Sequence, residues 1–208
     1  MKKTHLSLIV IIVLTLVACQ SSKDKYENIE EVKKAQTQIA VELAENALKD
    51  DSTIESQIYA FEKLKEWDQH NLEIGSNLQV KIKAGIRDLI NKKEFDKAFI
   101  FSDKLYAIYS STEIGHLLVD VSKLLSKDLL SRKDYERAFT VAGRALQVFW
   151  DEDAMDLKLQ AELNLLDLSV SKDDLTNGRK YYDDIVYVIG LKGNEELYEK
   201  YNSEMAKY

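Results

Sequence analysis

The chain has 208 residues, 45% hydrophobic and 31% charged, with no proline and only seven glycines. This balance excludes a disordered chain and one that spans the membrane by bulk composition, and the shortage of turn-forming residues favours helices over strands. The formal net charge of −7, which becomes −7 − 2 = −9 without Lys2 and Lys3, argues against nucleic acid as a partner, because an acidic surface is repelled by phosphate backbones.

The first 18 residues divide into three parts. Lys2 and Lys3 form a short basic region. Leu6–Val17 is an apolar run of 12 residues broken only by Ser7 and Thr15, and Leu16, Val17, Ala18 and Cys19 follow. The run is too short for a membrane-spanning helix, which needs about 20 residues, but it suits the hydrophobic region of a secretory leader. Leu16 and Ala18 directly before the only cysteine resemble the lipobox of bacterial lipoproteins. The resemblance implies cleavage after Ala18 and lipidation of Cys19, with residues 1–18 a signal peptide and residues 19–27 a lipidated polar tether. Two or three acyl chains would hold the protein on a bilayer, since each buried methylene adds about 0.8 kcal/mol. No Asp follows Cys19, so the resemblance implies an outer-membrane address in a cell with two membranes. In a single-membrane cell the body would face outward from the plasma membrane.

The body reads as helix after helix. Asn28–Lys49 places Ile29, Val32, Ala35, Ile39, Leu43 and Ala47 at three- and four-residue steps, and Thr53–Asp68 does the same with Ile54, Ile58, Phe61, Leu64 and Trp67. Leu72–Asn91 turns Ile74, Leu78, Ile82, Ile86, Leu89 and Ile90 inward. Glu94–Tyr109 does so with Phe95, Ala98, Phe99, Ser102, Leu105, Ile108 and Tyr109. Glu113–Ser131 and Asp134–Phe149 follow, with Ser110, Ser111, Thr112 and Glu113 reading as a capping box. Glu152–Ser171 is apolar on more than one face through Leu157, Leu159, Leu163, Leu165, Leu166, Leu168 and Val170, as expected of a helix covered on several sides. Asp174–Ile189 completes that pair. Gly190 and Gly193 are expected to end it, and Asn194 to cap a closing helix over Glu195–Lys207.

Leu72–Ser110 laid on Thr112–Trp150, offset by 40, gives ten identities in 39 pairs, among them Glu73/Glu113, Gly75/Gly115, Leu78/Leu118, Lys83/Lys123, Lys93/Lys133 and Ala98/Ala138. Leu175, Gly178, Val188 and Ile189 continue the register. A fixed period of this size marks stacked helical hairpins, each supplying the apolar neighbour that the last one lacks. Phe95 followed by Ala98, and Tyr135 followed by Ala138, resemble the start of the second helix of tetratricopeptide repeats, where a small residue lets neighbouring helices approach. Gly178 keeps the small residue after Leu175. The resemblance implies an all-α array of about four antiparallel hairpins over residues 28–208, forming an α–α superhelix with a C-terminal capping helix. The period is 40 rather than that family's 34, and the proline that usually closes each unit is absent. A helical bundle without superhelical curvature is the alternative.

No catalytic, cofactor-binding or metal-binding set is expected. His70 and His116 sit near helix starts without zinc spacing, and no phosphate-loop, dinucleotide or nucleophile-elbow pattern occurs. Asp151, Glu152 and Asp153, like Lys172, Asp173 and Asp174, fall at helix starts, where acids relieve the positive end of the dipole. Tyr106, Trp150, Tyr181, Tyr182, Tyr187, Tyr198 and Tyr201 are core residues or peptide anchors. The sequence reading is therefore a membrane-anchored envelope lipoprotein, attached to the lipid bilayer through acylated Cys19. It would act as a non-catalytic adaptor for an envelope protein or peptide. The alternative is a surface exclusion or immunity lipoprotein of a mobile element. An enzyme or solute binder is disfavoured for want of a visible site and of two lobes.

Overall fold

The apolar steps of the described residues become helices. The computed structural model describes residues 22–192, and among these the regular elements are eight α-helices and no strand. They are α1 (Ser22–Ala47), α2 (Ile54–Trp67), α3 (Leu72–Asn91), α4 (Phe95–Ile108), α5 (Thr112–Ser131), α6 (Tyr135–Val148), α7 (Glu152–Ser171) and α8 (Leu175–Lys192). The chain falls into two units, residues 1–85 and 86–208, the division lying inside α3.

In the first unit α1 packs on α2. Its buried positions are Ala40, Ala44 and Ala47. The predicted Ile39 and Leu43 are half-buried, and Ile29 is 45% exposed. The contact face is thus rotated from the one drawn through the largest side chains, because alanines let two backbones come close. Helix α1 also starts at Ser22, inside the stretch read as a tether. Ser22–Glu27 is polar, but its sequence holds no glycine or proline to break a helix. On α2, Ile58, Phe61 and Leu64 are buried as expected. Thr53 caps it, its Oγ1 accepting from the Ser56 amide at 3.3 Å. Thr37 Oγ1 donates to the Trp67 carbonyl at 3.1 Å, and Lys81 Nζ donates to the Leu48 carbonyl at 2.9 Å.

In the second unit each helix packs on the next from α4 to α8, and α5 also meets α7. Leu125, Leu129, Ala138, Val141 and Ala161 form one core cluster, with Phe95, Phe99 and Phe139 against it. Met155, Leu159, Leu166, Tyr182 and Ile185 form another. The small residues of the repeat, Ala98, Ala138 and Gly178, are all buried. Helix α7 buries Leu157, Leu159, Ala161, Leu165 and Leu166 on several faces, as its sequence implied, although Leu168 is 41% exposed. Tyr109, expected inward, is also 41% exposed. It follows the last turn of α4 in extended backbone at φ −148°, which turns it off the apolar stripe.

The repeat is most literal at three turns. Lys93, Lys133 and Asp173, forty residues apart, have φ of 60°, 62° and 54°. Each is followed by a residue whose amide closes the helix end by reaching back: Glu94 to Leu89, Asp134 to Leu129 and Asp174 to Ser169, all at 2.9 Å. This is the Schellman closure, with a left-handed residue just past the helix.

Three expectations are corrected. The cap of α5 is Ser111, the second residue of the box, whose Oγ accepts from the Ile114 amide at 3.3 Å, and the helix starts at Thr112, one residue before the expected Glu113. Gly190 does not end α8, which runs through it to Lys192. An isolated glycine costs a helix only about 1 kcal/mol relative to alanine, too little to stop one. Third, α1 includes part of the expected tether, as described above. Gly193, Asn194 and the closing helix over Glu195–Lys207 lie outside the described residues.

Candidate functional site

Successive helices α6, α7 and α8 leave an open cavity of about 520 Å³ lined by Phe139, Glu162, Lys180, Tyr181, Asp183 and Asp184. Phe139 comes from α6, Glu162 from α7 and the rest from α8. Phe139 and Tyr181 meet edge to face, with ring centroids 6.3 Å apart and planes at 79°.

Glu162 is the unusual member. The 40-residue register puts it where the two earlier units have Ile82 and Ser122, and all three side chains are fully buried. The core position of the repeat therefore holds an isoleucine, a serine and then a carboxyl. Glu162 Oε2 accepts from Lys158 Nζ at 3.1 Å, one turn earlier on α7. Lys158 also donates to Asp184 Oδ2 on α8 and lies over the Phe139 ring, 4.7 Å from its centroid. Glu162 Oε1 is buried and meets no donor. Burial, reinforced by the Asp184 carboxyl beside it, pushes Glu162 up to about 8 against the opposing pull of Lys158. The Asp184 carboxyl is held below its usual range, first by its hydrogen bond with Glu162 and then by Lys158. Near neutral pH the pair thus shares one proton, carried on Glu162. Burial also raises the Tyr181 phenol, with Glu136, Glu162 and Asp174 adding to it.

The sequence singled out Tyr181 but not Glu162, Asp184 or Lys158. A signal for Glu162 was present: an acid in the apolar register of the repeat, in the middle of a leucine-rich helix. Asp184 carries no such mark, since it stands where unit two has Arg144, and only packing brings it to Glu162.

Of the acids at helix starts, Asp151 and Asp174 are caps. Asp151 Oδ1 accepts from the Ala154 amide at 2.9 Å while its Oδ2 accepts from Lys123 Nζ at 2.9 Å. Burial would raise the Asp151 carboxyl, but the bonds from Lys123 and Ala154 outweigh it and hold it below its usual range. Asp174 Oδ1 accepts from the Asn177 amide at 3.2 Å. His70 and His116 are exposed, and His116 stacks on Phe149 with centroids 4.9 Å apart. Among the described residues no group of three or more His, Cys, Asp or Glu side chains is placed to hold a metal ion, and no helix is long and apolar enough to cross a membrane.

Of the predicted aromatic anchors, Trp150 and Tyr187 are each 67% exposed, Tyr106 and Tyr181 are half-buried, and Tyr182 is core. Tyr198, Tyr201, Ala18 and Cys19 lie outside the described residues. No protein-family model, curated protein or solved structure matches the chain.

Proposed function

We propose that this protein is a lipid-anchored envelope lipoprotein that works as a non-catalytic adaptor, holding a second envelope protein against its helical hairpins. The cavity between α6, α7 and α8 carries the reading: aromatic walls from Phe139 and Tyr181 and a floor of carboxyl groups suit one side chain of a partner segment. Stacked hairpins present such surfaces without enclosing a reaction centre. The Leu16, Val17, Ala18, Cys19 sequence supports the anchor, and the tetratricopeptide resemblance supports peptide binding.

Crosslinking in intact cells, followed by purification of the full chain and identification of its adducts, tests the adaptor role. One envelope protein should be enriched, and Tyr181→Ala should cut its yield several-fold. Recovery of none, where a control lipoprotein yields its own partner, would end the reading.

A further inference from the structure

The cavity that supports the adaptor role contains a feature that adhesion alone does not require. Units one and two of the 40-residue register pack with Ile82 and Ser122 at the position of Glu162, so a carboxyl there is not needed to build a hairpin. It is also costly, because burying a carboxylate without full hydrogen bonding opposes folding. Lys158 takes Oε2 and Asp184 together, and Oε1 remains buried in the cavity wall with no donor. An acceptor so placed is complementary to a donor that arrives from outside.

We infer that the α6–α7–α8 cavity is a receptor for the guanidinium of an arginine side chain on the partner, which donates to Glu162 Oε1 and to Asp184. A guanidinium offers a planar fork of donors that can meet two neighbouring carboxyl groups while its face lies flat on an aromatic ring. The rings already attract cations: Lys158 lies over Phe139, and the exposed Lys180 lies 5.6 Å from the Tyr181 centroid at the rim. Lys180 is free to swing outward as the guanidinium enters, whereas Lys158 stays in place. The cavity, about 520 Å³, suits one long side chain. The chain's formal charge of −7 favours a basic partner. The inference rests on the adaptor reading and adds the chemistry of what is held.

Binding the cation displaces the proton that Glu162 shares with Asp184. The charged groups about Glu162 are Lys158 on its own helix and Lys180, Asp183 and Asp184 on α8, with Glu136 of α6 beside Tyr181. Asp183 is taken by Arg179, at 2.9 Å. Affinity should therefore rise as pH rises and Glu162 gives up its proton.

The test is an NMR titration of the full chain with N-acetyl-arginine amide, with the neutral isostere N-acetyl-citrulline amide as reference. The arginine probe should shift cavity residues at pH 9, with roughly 100-fold weaker binding at pH 6. Glu162→Gln should weaken it at least ten-fold at pH 9 and abolish the pH dependence. Should that variant unfold, Asp184→Asn must show a comparable loss at pH 9. Equal shifts with the citrulline probe, or none in the cavity with arginine, would overturn the inference even if crosslinking still recovers a partner. Failure of crosslinking alone bears on the adaptor reading instead.

Discussion

At the scale of single residues, Glu162 is the buried carboxyl whose titration is moved furthest among the described residues. Its neighbours in the register show the site packing without a carboxyl, and its pH behaviour follows from the geometry. In the unfolded chain it titrates near the ordinary 4.5, and in the fold near 8. The folded state thus holds the extra proton between these values. The stability it contributes is complete below about pH 4.5 and is lost as pH rises through 8. Asp184 works in the opposite sense: its lowered carboxyl adds stability that is lost as pH falls below the usual carboxylate range. Urea unfolding should show stability falling by roughly 2–4 kcal/mol between pH 5 and pH 9, and Glu162→Gln should remove most of that slope. An unchanged slope in the variant would assign it to other groups. Half of this arrangement was legible, since an acid in the apolar register of α7 can be read from the repeat. Asp184 was not, because its approach depends on how α8 seats on α7.

At the scale of elements, helix ends were set by local chemistry and were mostly readable. Leu72–Asn91 and Glu152–Ser171 fall where periodicity placed them, and Asp151 caps as its side chain allows, whereas Thr53, read as the first helical residue, is itself the cap of α2. The misplaced features have local causes too. Ser110 and Ser111 offer the same hydroxyl one residue apart, and only the extended backbone at Ser111 aims it at the Ile114 amide. Gly190 is too weak a breaker to oppose a helix whose Ile185 is fully buried a little over one turn earlier. The Schellman turns carry a testable cost. Lys93, Lys133 and Asp173 adopt left-handed backbone without being glycine, a conformation that costs an L-residue about 1 kcal/mol or more. Lys133→Gly should raise the urea midpoint by about 1 kcal/mol of stability, whereas Lys133→Ala should not. A destabilised glycine variant would show that the Lys133 side chain contributes more than its backbone strain removes.

For the molecule as a whole, ion pairs tie consecutive second helices together. Arg144 reaches Asp103 at 2.8 Å, and Arg137 reaches Asp96, so α4 and α6 are linked twice across the repeat. Both pairs are partly exposed and add little to stability individually, but they fix which faces meet. The anchor proposed for Cys19 acts on the whole molecule as well. Cys19→Ala should leave the far-UV helical signal unchanged and move the protein from the membrane fraction to the soluble one, or leave an uncleaved precursor. Fatty-acid labelling of that variant at the wild-type level would refute the assignment. By itself, the sequence determined the described helices, many of their ends and their recurrence every 40 residues, because periodicity, capping and the lack of proline act within a few residues along the chain. Tertiary structure alone decided that Ala40 and Ala44 would join Ala47 in the contact of α1, and that Lys158, Glu162 and Asp184 would meet beside Phe139 and Tyr181. Burial depends on which helix arrives opposite, and no spacing along one strip of sequence records that.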